Sequence, residues 1–301
     1  AVEMAPMSVV YGGFSACNIN AVTKTGRNEI YGSVFFDYGS DDLRGDKLEG
    51  DSIAQQDYEE TRYSFELGGA LIEDQLFFYG AYEKYDGADL NNRGAIGSGA
   101  VNEVPVTQAE LDRIAQIARD VYGYEPGRTV SEAFDFDDEK YLFKLDWYAS
   151  DTQRLSMTYM YNDSFNYTAS DGDLDEFEFD KHFYKRGAEL TTYNINWYAD
   201  WSENFSTEVR YSYSEVDFLQ ASVSGGDFAE FRIELDEVDV YLGQDDSRQA
   251  NDLDWEVQQL VARGTYIMDD HAITFGYERD ASDIYNPVSY THLRAHETRN
   301  Y

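Results

Sequence analysis

"YLFKLDWYASDTQRLSMTYMYN", residues 141–162, decides how this chain folds. Tyr141, Phe143, Leu145, Trp147 and Ala149 share one parity; Leu142, Lys144, Asp146 and Tyr148 share the other. A pleated strand sends successive side chains to opposite faces, so this parity gives one apolar, aromatic face and one charged face. Ser150-Asp151-Thr152-Gln153 breaks the alternation with the composition of a tight turn, and the rhythm resumes over 154–162. The spacing predicts a hairpin of two long strands.

The same rhythm recurs outward in both directions. Tyr193, Ile195, Trp197, Ala199 and Trp201 oppose Asn194, Asn196, Tyr198 and Asp200, and Val209, Tyr211 and Tyr213 oppose Glu208, Arg210, Ser212 and Ser214. About nine strands are predicted, near 29–39, 62–71, 76–86, 139–149, 154–162, 189–201, 206–216, 252–266 and 272–280. The eighth changes phase, since Trp255 and Val257 precede Leu260, Ala262 and Tyr266, and a bulge at Gln258-Gln259 would account for the shift. Four-residue turns at 72–75, 150–153, 202–205 and 268–271 alternate strictly with long acidic segments near 40–61, 87–138, 163–188 and 217–251. A soluble sandwich carries loops of mixed length at both ends, whereas a transmembrane barrel has short turns at one rim and long loops at the other. The expected fold is therefore all-β, an antiparallel transmembrane β-barrel fragment of about nine strands in an open, curved sheet.

The longest loop also predicts one short helix. Thr107 and Glu110 have capping-box spacing, Val106 and Leu111 can form a hydrophobic staple, and Leu111, Ile114, Ala118 and Val121 make an apolar stripe ending at Gly123. Trp147, Trp197, Trp201 and Trp255 all fall inside predicted strands. With 26 tyrosines they suit the aromatic girdles of a membrane interface, the competing reading being ordinary sheet-core aromatics.

Composition narrows the partners. Asp and Glu number 59 against 23 Lys and Arg, a formal charge of −36, which disfavours nucleic acid and anionic membrane surfaces. Aromatics at 16% with only 4 prolines exclude a disordered acidic tail. One cysteine, Cys17, excludes an internal disulfide framework and a cysteine-rich zinc site. The chain has no run of about 18 apolar residues, hence no transmembrane helix. Its mean hydropathy of −0.60 leaves a strand barrel open, because lumen-facing positions are polar.

The opening stretch, "GGFSACNINAVTKTGRNEIYGSVFFDYG" from Gly12 to Gly39, contains Asn20, Lys24, Gly26, Asn28 and Gly32 in an N-x-x-x-K-x-G-x-N-x-x-x-G pattern. It resembles the plug-to-barrel junction of TonB-dependent outer-membrane receptors, and more narrowly the Oar-like subgroup. The resemblance implies that residues 1–26 are the C-terminal end of a plug domain and 27–287 the N-terminal part of a barrel that has twenty-two strands in this family. It implies energy-coupled import of a scarce solute across the bacterial outer membrane, with a TonB complex engaged through a segment outside this sequence. The further partners are outer-membrane lipid and a small solute, peptide or oligosaccharide. A passive porin or surface adhesin is the alternative, although a porin has no reason to carry such a junction. "VSYTHLRAHET", from Val288 to Thr298, breaks the composition and resembles a translated sequencing-library adapter, so 288–301 are read as an artefact and His292 and His296 as no metal pair.

Enzymatic constellations are not evident. His182 and His271 lie on a predicted loop and turn, read as solvated, with no nucleophile motif around them. "SDGDLDEFEFD" at 170–180 spaces Asp171, Asp173 and Asp175 like a calcium loop but lacks the glycine and terminal glutamate of that pattern. A solvated acidic loop is the expectation there, with no cofactor and no catalytic residue. The acidic loops favour a neutral or cationic ligand over an anionic one.

Overall fold

The computed structural model describes residues 2–4, 17–19, 22–52, 56–89, 91, 93–129, 133–169, 173–226, 228–245 and 252–286. Nine long strands form one sheet: β1 (Tyr31–Ser40), β2 (Glu59–Ile72), β3 (Leu76–Asp89), β4 (Phe134–Ser150), β5 (Gln153–Thr168), β6 (Tyr184–Ser202), β7 (Phe205–Ser222), β8 (Leu253–Met268) and β9 (His271–Tyr285). Each pairs antiparallel with its neighbours in sequence, leaving β1 and β9 as the two edges. All nine predicted strands exist, and most run several residues further toward the long-loop end than the alternation alone had shown. Aromatics there, such as Phe136, Phe165 and Phe218, fall on both faces among acidic and small residues, so parity no longer separates the faces although the ladder continues.

The turns close by local chemistry. Asp74 and Asp269 take left-handed backbone conformations, with φ of 60° and 52°, which a short carboxylate side chain tolerates. The register shifts just before three turns, between Ala70 and Ile72, Tyr148 and Ser150, and Asp200 and Ser202. The bulge expected at Gln258-Gln259 is not formed: pairing of β8 with β7 and β9 runs unbroken through both residues. The phase change has another cause. Gln258 and Glu256 continue the parity of Leu260 and Ala262 but stand beside Tyr213 and Glu215, where the apolar face ends. Trp255 belongs to the opposite face, paired with Val216 and in an edge-on contact with Phe218, ring centroids 6.1 Å apart.

One face of the sheet presents an uncovered apolar band. Phe65, Leu67, Phe143, Ile195, Phe275 and Tyr277 are all exposed on it. Tyrosines bound the band toward the long loops: Tyr82–Tyr141, Tyr141–Tyr161, Tyr159–Tyr193 and Tyr193–Tyr213 ring centroids lie 5.0, 5.6, 5.2 and 6.4 Å apart. Beyond them runs a charged row, Lys84, Glu139, Asp163 and Glu189, adjacent in register. Tyr82 and Tyr141 each donate a hydroxyl hydrogen bond of 2.8 Å to Glu139. Toward the short turns the band ends at Trp147, Trp197 and Trp201; the Trp197 indole N–H donates to Gln153 at 2.9 Å and that of Trp201 to Thr207 at 2.8 Å.

The long connections all leave from one end of the sheet, and three of them pack into a cap with its own core. Helix α1 (Gln108–Tyr122) has the predicted capping box, with Thr107 accepting from the Glu110 N–H at 3.3 Å and Glu110 accepting from the Thr107 N–H at 2.9 Å. Gly123 ends it in the left-handed region, φ 65°. Val106, Leu111, Ile114, Ala115 and Ala118 are buried against Phe177, Phe179, Val238, Val240 and Leu242. Val121, assigned to the apolar stripe, is exposed, and Ala115 takes its place in the buried face. A three-stranded sheet carries the other side of this core: Glu176–Glu178 parallel to Asp239–Leu242, with Phe231–Glu234 antiparallel to it.

Candidate functional site

The segment before β1 lies across the sheet's polar face, held by residues far away in sequence. Lys24 places its ammonium 2.8 and 2.7 Å from the two oxygens of Glu66. Glu66 also accepts from Ser33 at 3.0 Å and from the Tyr79 hydroxyl, so this carboxylate gathers three strands and the docked segment at one point. Thr25 donates its hydroxyl to Asp146, and the Thr25 carbonyl accepts from Tyr31 at 2.7 Å. Asp146 is 1% exposed, with Arg154 at 2.8 Å and Lys144 at 3.4 Å. A carboxylate that deep needs compensating charge and donors, and it has both.

The glycines make close approach possible. A Cβ on Gly26 would sit 2.4 Å from the carbonyl oxygens of both Gly69 and Phe78, so the docked backbone passes over β2 and β3 where only hydrogen fits. Gly32 is confined likewise, 2.5 Å from the Glu66 carbonyl oxygen. Asn28 fixes the far end: its amide nitrogen donates to the Asp74 carboxylate at 2.6 Å, and its carbonyl oxygen accepts from the Asp74 N–H at 2.9 Å. Asp74 is the left-handed residue of the β2–β3 turn, so one asparagine satisfies that turn and anchors the chain entering β1.

Of the residues singled out from sequence, the structure thus brings Lys24, Gly26, Asn28 and Gly32 to one site, while Asn20 lies outside the described residues. Glu66 and Asp146 escaped sequence reasoning because their partners in the docked segment stand 42 and 121 residues away, and Tyr79 because it joins the site through Glu66 on the neighbouring strand. The one available signal was a charged Asp146 among inward positions of a long strand. Beside Lys24 the polar face holds a depression of about 500 Å³, lined in part by Ser64, Glu66, Glu83, Lys140 and Asn162.

Asp173 and Asp175 are exposed, and their backbone carbonyls accept from the Arg93 side chain and the Asp239 N–H. Asp171 lies outside the described residues. His271 is exposed as expected, but His182 is fully buried, because the turn Asp180–His182 carries it under Tyr241, ring centroids 5.5 Å apart.

No family model matches the chain, and no curated protein matches its sequence. Among solved structures, the siderophore receptor PirA from Acinetobacter baumannii is similar at 15% identity and a TM-score of 0.48, over 86% of this chain and 31% of that one. The toluene transporter TbuX of Ralstonia pickettii aligns at 9% identity and a TM-score of 0.23, over 92% and 82%. The chain spans about a third of the length of the first of these.

Proposed function

We propose that this chain is part of a TonB-dependent receptor of the bacterial outer membrane, importing a scarce solute. Residues 1–26 would end the plug and 27–287 begin the barrel, with 288–301 foreign to it. The observation that carries the reading is the pairing of opposite faces on one sheet. An exposed apolar band is bounded by tyrosine and tryptophan rows on one side, and a preceding segment is docked through buried polar groups on the other. Tyr141 and Trp147 stand six residues apart and Tyr193 and Trp201 eight, with Trp197 between, so the band runs about 20–27 Å along strands that tilt in such barrels, approaching their roughly 25 Å apolar height.

A porin wall needs no docked segment, which favours the plug-bearing class over passive diffusion or adhesion. The Lys24–Glu66 and Thr25–Asp146 contacts supply the place where a plug would meet its barrel. The depression beside Lys24, which sets Glu66, Glu83 and Lys140 among apolar side chains, gives solute a surface to follow, and the acidic cap favours a neutral or cationic solute. Nothing in the geometry assigns catalysis.

The test is to recover the same locus from source DNA by an independent library method and to measure uptake by the encoded protein. A plug and TonB box upstream, further strand hairpins in place of residues 288–301, and uptake that disappears in cells lacking TonB are expected. Uptake independent of TonB would overturn the energy-coupled reading and leave a porin.

A further inference from the structure

We infer that the loop cap contains a binding site for a divalent transition ion of the zinc class, built from His182, Glu230 and Asp245. One ligand atom from each lies within 4.8 Å of the others. Three separate backbone devices bring them there. The turn Asp180–His182 is pinned by the His182 N–H to the Phe179 carbonyl at 2.8 Å, and Phe179 is tied to Tyr241 at 3.1 Å. Ala229 and Gln244 form a parallel bridge, and the Gln244 N–H donates to the Phe228 carbonyl at 2.9 Å, so Glu230 and Asp245 leave the bridge side by side. Gly243 has φ of 90°, and a Cβ there would stand 2.0 Å from the Ala229 carbonyl oxygen; only glycine lets these two segments meet.

The imidazole is oriented as a metal-ligating histidine is. Its Nδ1 lies 3.0 Å from the Gly243 carbonyl oxygen. A carbonyl can only accept, so Nδ1 carries a proton, which leaves Nε2 as the nitrogen that can bind an ion. His182 is 0% and Asp245 5% exposed, and Glu230 is half-buried. Two carboxylates converging beside a buried imidazole repel each other, and a dication between them relieves that repulsion. One nitrogen with carboxylate oxygens suits zinc, cobalt or manganese rather than calcium, which takes six to eight oxygens. Metal–ligand bonds of about 2.0–2.1 Å put tetrahedral ligands roughly 3.3 Å apart, so the cluster closes by about an ångström or so on binding. The site joins the connection after β5 to that after β7, holding the cap together, and this inference is independent of the transport reading.

The test uses the full chain folded in detergent micelles, stripped with a chelator and titrated with Zn²⁺ against a chromophoric competitor, with Co²⁺ absorption reporting ligand geometry. One ion per chain is expected, retained against a hundredfold excess of Ca²⁺. Glu230→Gln and Asp245→Asn should each weaken it about tenfold or more, and His182→Gln further. Should the buried His182 variant fail to fold, Glu230→Gln on its half-buried side chain decides the matter. Absence of 1:1 uptake, displacement by Ca²⁺, or affinity unchanged in both carboxylate variants would overturn the site. The first of these outcomes would assign the cluster as a protonated histidine paired with its carboxylates.

Discussion

At the scale of single residues, burial decides which contacts of the docked segment matter. The Lys24–Glu66 pair is short, but the lysine side chain is 62% exposed, so Lys24→Ala should cost no more than about 1 kcal/mol. Asp146 is the opposite case. Its loss leaves Arg154 and Lys144 facing each other without a counter-charge, and Asp146→Ala should cost about 3 kcal/mol, the lower end for a broken buried pair because Arg154 keeps some contact with water. Thermal unfolding of the two variants in detergent checks the ordering, and equal effects would show that depth is not what counts. Gly26→Ala acts on geometry alone: the added methyl meets two backbone carbonyls that cannot swing aside. Trypsin should then cut after Lys24 and Arg27 at least several-fold faster than in the parent, while Gly45→Ala, whose Cβ would meet nothing within 4 Å, should leave the rate unchanged.

At the scale of elements, α1 shows how far sequence carries. Its start and stop were legible because a capping box and a left-handed glycine are local chemistry, and the prediction that follows is local too. Thr107→Ala should destabilise the helix by about 1 kcal/mol, read as faster amide exchange at Glu110 and Leu111. The Glu110 carboxyl is held below the ordinary carboxylate range by the Thr107 N–H and hydroxyl. A depressed folded value means its contribution is complete above the unfolded pKa of about 4.3 and disappears as pH falls through the folded value. Protection of these amides, taken relative to their intrinsic exchange rate at each pH, should therefore fall in that acid window, and Glu110→Gln should abolish that fall. The exposure of Val121 was not legible, because which side of a helix faces inward depends on where the 176–178 and 239–242 strands arrive from other loops. For the same reason His182 read as a solvated loop histidine: its burial is set by Tyr241 and Gly243, 61 residues on in the second case. Strand alternation was legible wherever each face meets a different medium. It misled at Gln258-Gln259, where the medium changes along the strand while the backbone continues unaltered.

At the scale of the whole molecule, among the described residues the sheet has two unpaired edges and an uncovered apolar band, and neither is tolerable in water. Each large side chain of that band gains about 1.5–3 kcal/mol on leaving water, so the chain should sediment as aggregate from buffer and stay dispersed in detergent micelles. Membrane placement makes a sharper demand, because the four tryptophans are not equivalent. Trp147, Trp197 and Trp201 lie on the apolar face near the short turns, and Trp255 lies on the opposite face near the cap, against Phe218. Four variants that each retain one tryptophan, the others replaced by phenylalanine, can be reconstituted into vesicles of brominated lipid, where fluorescence is quenched by contact with the acyl chains. Trp147, Trp197 and Trp201 should be quenched strongly, and Trp255 several-fold less. A soluble sheet whose apolar face is covered by another protein would show four equally weak responses. Strong quenching of Trp255 would place lipid on the face that carries Glu66 and Asp146, where the docked segment could not bind, and would remove the basis for assigning an inside to this sheet.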